Sequence, residues 1–167
     1  MKRFTKFALA VCAMTMLFSV PVSATEKTLD AEIAMITNHI NEVEDQVDYL
    51  TPKQAGFSDW NALNAHRRTV MKQTLGWAVA EFDNYILYLQ KEEANAAELV
   101  RVKEQNIAAI NDLCKVNPSF AGQLAQANAE LLAAQQQVGT HQAEIALCKQ
   151  YKENSIAAIK AKAATYK

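Results

Sequence analysis

The sequence predicts an all-α protein, a bundle of long, antiparallel, coiled-coil-like helices. Three observations carry this. Apolar residues recur at alternating spacings of four and three through most of the chain, which is the seam of a coiled coil. Ala, Gln, Glu, Lys and Leu dominate, and all five are good helix formers. Only 4 Gly and 3 Pro occur in 167 residues, so there are few places to turn the chain. Three helices are expected, at roughly residues 27–50, 59–115 and 119–165.

The first helix follows the seam Leu29, Ile33, Ile36, Ile40, Val43, Val47 and Leu50. Its other faces are acidic: Glu26, Asp30, Glu32, Glu42, Glu44, Asp45 and Asp48 stand against a single Lys27. Thr51 precedes Pro52, and a residue before proline is pushed out of helical geometry, so the run ends there. With Pro52 and Gly56, residues 51–58 read as a turn. Thr51 with Gln54 three residues on, and Pro52 between them, also has the pattern of a capping box. The stretch Leu50-Thr51-Pro52-Lys53-Gln54 resembles the Leu-Thr-x-x-Gln motif of the Spy/CpxP-like periplasmic stress chaperones, which are small helical proteins. The resemblance covers five residues in one copy. It implies a chaperone-like role and is not extended to a family assignment.

Ser58 or Asp59 can cap the second helix, because a short side-chain oxygen takes one of the free N–H groups at a helix start. From there no proline occurs before Pro118, and Gly76 is the only glycine. Leu75, Val79, Phe82, Ile86, Leu89, Ala96, Val100, Ile107, Ile110 and Cys114 keep heptad spacing, interrupted by Glu93 and Lys103. This predicts one helix over 59–115, roughly 85 Å long at 1.5 Å per residue. Its middle, Leu75 to Leu89, is apolar on several faces and holds Trp77, Phe82, Tyr85 and Tyr88, so it needs more than one neighbour.

Asn117-Pro118 breaks the chain, and Ser119 can start the third helix. Its stripe runs Leu124, Ala127, Leu131, Ala134, Val138, His141, Ile145 and Cys148, then slips in phase to Ile156, Ile159 and Ala163. The stripe passes through Gly139, where an isolated glycine costs only about 1 kcal/mol. One unbroken helix is expected; a break near Gly139, making four shorter helices, is the alternative.

Short connections make successive helices antiparallel. The first helix then lies beside the first half of the second, and the third returns to the same end. There Lys149, Lys152, Lys160, Lys162 and Lys167 would meet the acidic first helix. The far end, near residues 100–130, becomes a two-helix hairpin with an Ala-rich seam, either flexible or meant to contact something else.

Residues 1–24 read as a secretory signal peptide, and 25–167 as a single helical domain. Lys2, Arg3 and Lys6 precede the apolar run Phe7 to Val20, and Val22-Ser23-Ala24 suits a signal peptidase, with cleavage between Ala24 and Thr25. The run is too short for a comfortable membrane span, so no membrane anchor is expected after cleavage. The expected location is periplasmic or secreted. Removing Lys2, Arg3 and Lys6 leaves 14 basic side chains against 18 acidic ones, a net charge of −4. A mildly acidic chain without a basic block is a poor partner for nucleic acid.

Cys12 leaves with the signal, so the mature chain keeps Cys114 and Cys148. In an oxidising compartment such a pair is a candidate disulfide. A straight hairpin, however, separates the two by roughly 45 Å, against the 4.4–6.8 Å between Cα atoms that a disulfide needs. A break in the third helix, pairing with a second chain, and two free thiols all remain open.

Chemistry is sparse. Met35 and His39 lie one turn apart on one helix, where they cannot grip opposite faces of a haem, and no C-x-x-C-H motif occurs. His141, Glu144 and Cys148 share a helical face that could suit a soft metal, but no further ligand cluster completes a tetrahedral set. His66-Arg67-Arg68 reads as a solvated helix face. Ser58, Ser119 and Ser155 read as caps or surface, and neither a nucleophile elbow nor a Gly-rich phosphate loop is present. The expected function is therefore non-enzymatic: an adaptor, chaperone-like or structural protein acting through contacts with a protein partner or with itself, with no cofactor. The alternative is a small cofactor- or metal-binding bundle using Met35, His39, His141 or Cys148.

Overall fold

The computed structural model describes residues 28–167. The proposed signal, its Ala24–Thr25 cleavage point and the expected helix start at residue 27 lie outside the described residues. From Leu29 onward the chain is helical almost throughout. It forms α1 (Leu29–Tyr49), a single turn α2 (Pro52–Ala55), α3 (Trp60–Val116), a 3-10 turn (Pro118–Phe120) and α4 (Ala121–Thr165). No strand occurs among the described residues.

The caps account for the boundaries. Thr28 accepts the Ala31 N–H to start α1. Thr51 and Gln54 form a capping box, with the Thr51 N–H donating to Gln54 Oε1 at 3.0 Å. The segment expected to be only a turn thus holds one helical turn. It closes on Gly56 at φ 80°, a left-handed conformation that favours glycine. Asp59, rather than Ser58, caps α3 by accepting the Ala62 N–H at 2.9 Å. Asn117 accepts the Ser119 N–H at 3.0 Å and starts the 3-10 turn, so α4 begins at Ala121 rather than Ser119. α4 runs unbroken through Gly139.

α3 and α4 form an antiparallel hairpin along their whole length, and α1 packs on both at one end. The core sits there. Leu29, Ile36 and Ile40 of α1 meet Met71, Phe82, Tyr85, Ile86 and Leu89 of α3 and Ile145, Cys148 and Ile159 of α4. Burying each of the large apolar side chains contributes roughly 1.5–3 kcal/mol. The multi-faced apolar stretch of α3 is thus explained by having two neighbours.

Two charged groups depart from their expected solvated faces. Glu32 is buried beside Tyr85 and Cys148. Arg67 is only 7% exposed. Its Nε donates to the Val47 carbonyl at 2.6 Å and its Nη2 to the Leu50 carbonyl at 3.0 Å, so it closes the C-terminal end of α1. His66 does stay exposed, with its ring 5.0 Å from that of Phe57.

Candidate functional site

The molecule divides into a three-helix body and a two-helix arm. The two offer different chemistry.

In the body, the end of α4 is clasped. The Tyr166 hydroxyl donates to Asp48 Oδ1 at 2.7 Å, and Lys162 pairs with the same carboxylate. Arg68 donates to the Tyr166 carbonyl at 2.5 Å and Asn64 to the Lys167 carbonyl at 2.6 Å. The Arg67 guanidinium lies 5.4 Å from the Tyr166 ring centre and 5.7 Å from that of Trp60. Partial burial pushes the Asp48 carboxyl up, but Lys162, Tyr166 and Arg67 together outweigh it and hold the group below its ordinary value. Burial, and then the Asp48 carboxylate, pushes the Tyr166 hydroxyl well above its ordinary value. The expected meeting of acidic first helix and basic C-terminus is thus realised in the Asp48–Lys162 pair. Every member of this cluster is used in joining α1, α3 and α4, which marks it as a structural clasp.

The candidate cofactor ligands do not converge. Met35 is exposed. The His39 ring packs 4.1 Å from the Trp77 ring. His141 Nδ1 lies 3.0 Å from Glu144 Oε2. Cys148 is fully buried, and its thiol is pushed up by that burial and by Glu32. Among the described residues no group of three or more His, Cys, Asp or Glu side chains stands close enough to hold a metal ion. Both described cysteines are free: Cys114 is half-buried near the hairpin tip and Cys148 lies in the body core.

The arm joins the second half of α3 to the first half of α4. Its seam is thin. Among the described residues, Ala96, Ala127 and Ala134 are the buried side chains of the arm, and alanine lets helices approach while burying little. Lys103 crosses the seam to Glu130, and Gln142 donates to Glu93 at 2.8 Å. Beside the seam α3 carries a second stripe, again at spacings of three and four: Leu99, Val102, Asn106, Ala109, Leu113 and Val116. This one is open to solvent. Leu99 is 40% exposed, Val102 38%, Leu113 47% and Val116 86%. A shallow groove runs along it between Asn106 and Ala109 of α3 and Gln123 and Gln126 of α4.

The composition of the chain points to the sparse hairpin but not to this stripe. Its spacing is present in the sequence, yet it is obscured because the seam toward α4 runs through the same stretch of helix. No family model, curated protein or solved structure matches the chain. No helix among the described residues is long and apolar enough to cross a membrane.

Proposed function

We propose that this is an exported, non-enzymatic helical protein that acts through protein–protein contacts, with the two-helix arm as its contact surface. The observation that carries this reading is two uncovered apolar pairs, Leu99–Val102 and Leu113–Val116, parted by Asn106 and Ala109 on one face of a helix that the three-helix body anchors. Exposed apolar side chains scattered singly are ordinary, but grouped on one face of a helix they favour contact with a partner. An adaptor, a chaperone-like holder of clients and a structural spacer would all use such an arm.

The test is arm dependence. The purified chain and its Leu99→Glu/Leu113→Glu variant are added to a thermally unfolding client protein, and aggregation is followed by light scattering. They are also used side by side to capture proteins from the cell envelope. Wild type is expected to suppress aggregation or retain partners, and the variant to lose most of that effect. Equal behaviour of the two chains in both assays would sink the proposal. Export is tested separately by N-terminal sequencing of the chain recovered from the envelope or medium. Thr25 is expected first, and an intact Met1 would overturn that part.

A further inference from the structure

α1 fills a groove on the α3–α4 hairpin, and the hairpin does not depend on it for its pairing. Over the arm the same two helices stay together without α1, through Ala96, Ala127 and Ala134 and the Lys103–Glu130 and Gln142–Glu93 links. In the body, Leu29, Ile36 and Ile40 of α1 close the core against Phe82 and Tyr85 of α3 and Ile145 and Cys148 of α4. α1 brings little helix stability of its own. It carries Asp30, Glu32, Glu42, Glu44, Asp45 and Asp48 with no Lys or Arg. Glu42 and Asp45 stand three residues apart and Glu44 and Asp48 four, spacings at which like charges repel along a helix. Acidic side chains near its end also face the negative pole of the helix dipole. Its helix is therefore kept by packing in the groove and by what the groove supplies at one end.

That end is built to receive a helix terminus. The buried Arg67 guanidinium donates to the carbonyls of Val47 and Leu50, groups that the end of a helix leaves without partners of its own. Beside it, Lys162 and the Tyr166 hydroxyl hold the Asp48 carboxylate. Arg67 reads a C-terminal helix end, which every helix has, and Lys162 with Tyr166 reads one acidic side chain in the last turn. We infer that the groove is a receptor for an amphipathic helix of a client protein, with α1 as the resident that the client displaces. The client helix carries apolar residues at spacings of seven, four and three, as Leu29, Ile36, Ile40 and Val43 do, and a carboxylate in its last turn.

α1 competes from within the chain. Residues 50–59 tether it to α3 at the end where Arg67 and Lys162 hold it, so a displaced α1 stays near the groove and returns when the client leaves. The client's affinity is reduced by the fraction of chains in which α1 is seated. This surface lies apart from the exposed pairs of the arm, because α1 ends at Leu29, which shares the core with Leu89.

Fluorescence anisotropy of a labelled peptide, residues 28–50, tests the inference on the full chain. Ile36→Asp/Ile40→Asp weakens the resident α1 and leaves α3 and α4 as they are. It should bind the peptide at least about tenfold more tightly than wild type does. Adding Arg67→Ala to that variant should weaken the peptide again by about tenfold or more. Far-UV circular dichroism confirms that the hairpin keeps its helix content. The second measurement locks α1 in place. His39→Cys/Trp77→Cys, at positions whose rings lie 4.1 Å apart, is joined by a short bis-maleimide in a Cys114→Ser background. The joined chain should bind no peptide and lose most of its aggregation suppression, and the same chain left unjoined should keep both. Absence of peptide binding in a helical Ile36→Asp/Ile40→Asp chain, or equal binding by the joined chain, overturns the inference. If joining leaves suppression intact while Leu99→Glu/Leu113→Glu removes it, the groove falls and the arm reading stands. If joining removes suppression and the arm variant does not, the groove stands and the arm reading falls.

Discussion

Replacing Arg67 with Ala should detach α1 from the body before anything else unfolds. α1 carries no basic residue in its last turn, so nothing of its own offsets the negative end of the helix dipole. Arg67 supplies that charge from α3. It donates to the carbonyls of Val47 at 2.6 Å, Leu50 at 3.0 Å and Asp48 at 3.3 Å, and to Asn64 Oδ1 at 3.2 Å. Hydrogen bonds to a charged group contribute about 1.5–3 kcal/mol each. The two longer ones are near the limit of useful geometry, so the bonds to Val47 and Leu50 carry most of the effect. The cost of burying a guanidinium offsets part of it. A net loss of about 3 kcal/mol results, which for a domain of this size lowers Tm by about 10 °C.

The assay is thermal unfolding by circular dichroism, combined with hydrogen exchange along the chain. Because the main bonds lost join α1 to α3, the amides of α1 should exchange faster while those of the α3–α4 hairpin stay protected. Arg67→Lys keeps the charge but loses the planar fork, and should recover less than half of the stability. A fall in Tm under about 3 °C for Arg67→Ala, or unchanged protection in α1, would refute this account of what holds α1 in place.

Three other outcomes are expected. Gly139→Ala should raise stability by about 1 kcal/mol, because the glycine lies inside α4 with open space where a Cβ would stand; a lower Tm would contradict the unbroken helix. A maleimide should label Cys114 readily in the native protein and Cys148 only after denaturation, since Cys148 is fully buried and its thiol is pushed up by burial and by Glu32; comparable labelling rates would show that the body opens. Stability should fall in acid partly through Asp48: its folded value lies below the ordinary 3.8, so its contribution is full above that pH and is lost as pH falls through the folded value. Asp48 is 43% exposed, so solvent screening limits the effect to under about 1 kcal/mol, and Asp48→Asn should flatten the dependence of the urea midpoint on pH below 4.

The helices are written in the chain itself. Their extents follow from local rules: Pro52 and Pro118 cannot continue a helix, Asp59 and Asn117 cap the next elements, and no glycine between them is costly enough to break a run. The antiparallel order follows from connections too short to cross the bundle. Even the position of the core was legible, because α3 is apolar on several faces only where α1 also packs. Local rules could not say which polar residues leave the surface. Arg67 sits beside His66 and Arg68 as an ordinary basic triplet. It is buried only because the end of α1, some twenty positions earlier in the chain, arrives with carbonyls to receive it. Glu32 looks like any other acid of α1 until α3 and α4 close over it. The arm's open stripe is a matter of tertiary structure too. Its spacing can be read along the chain, but only the packing shows that α1 stops short of the arm and leaves this face open.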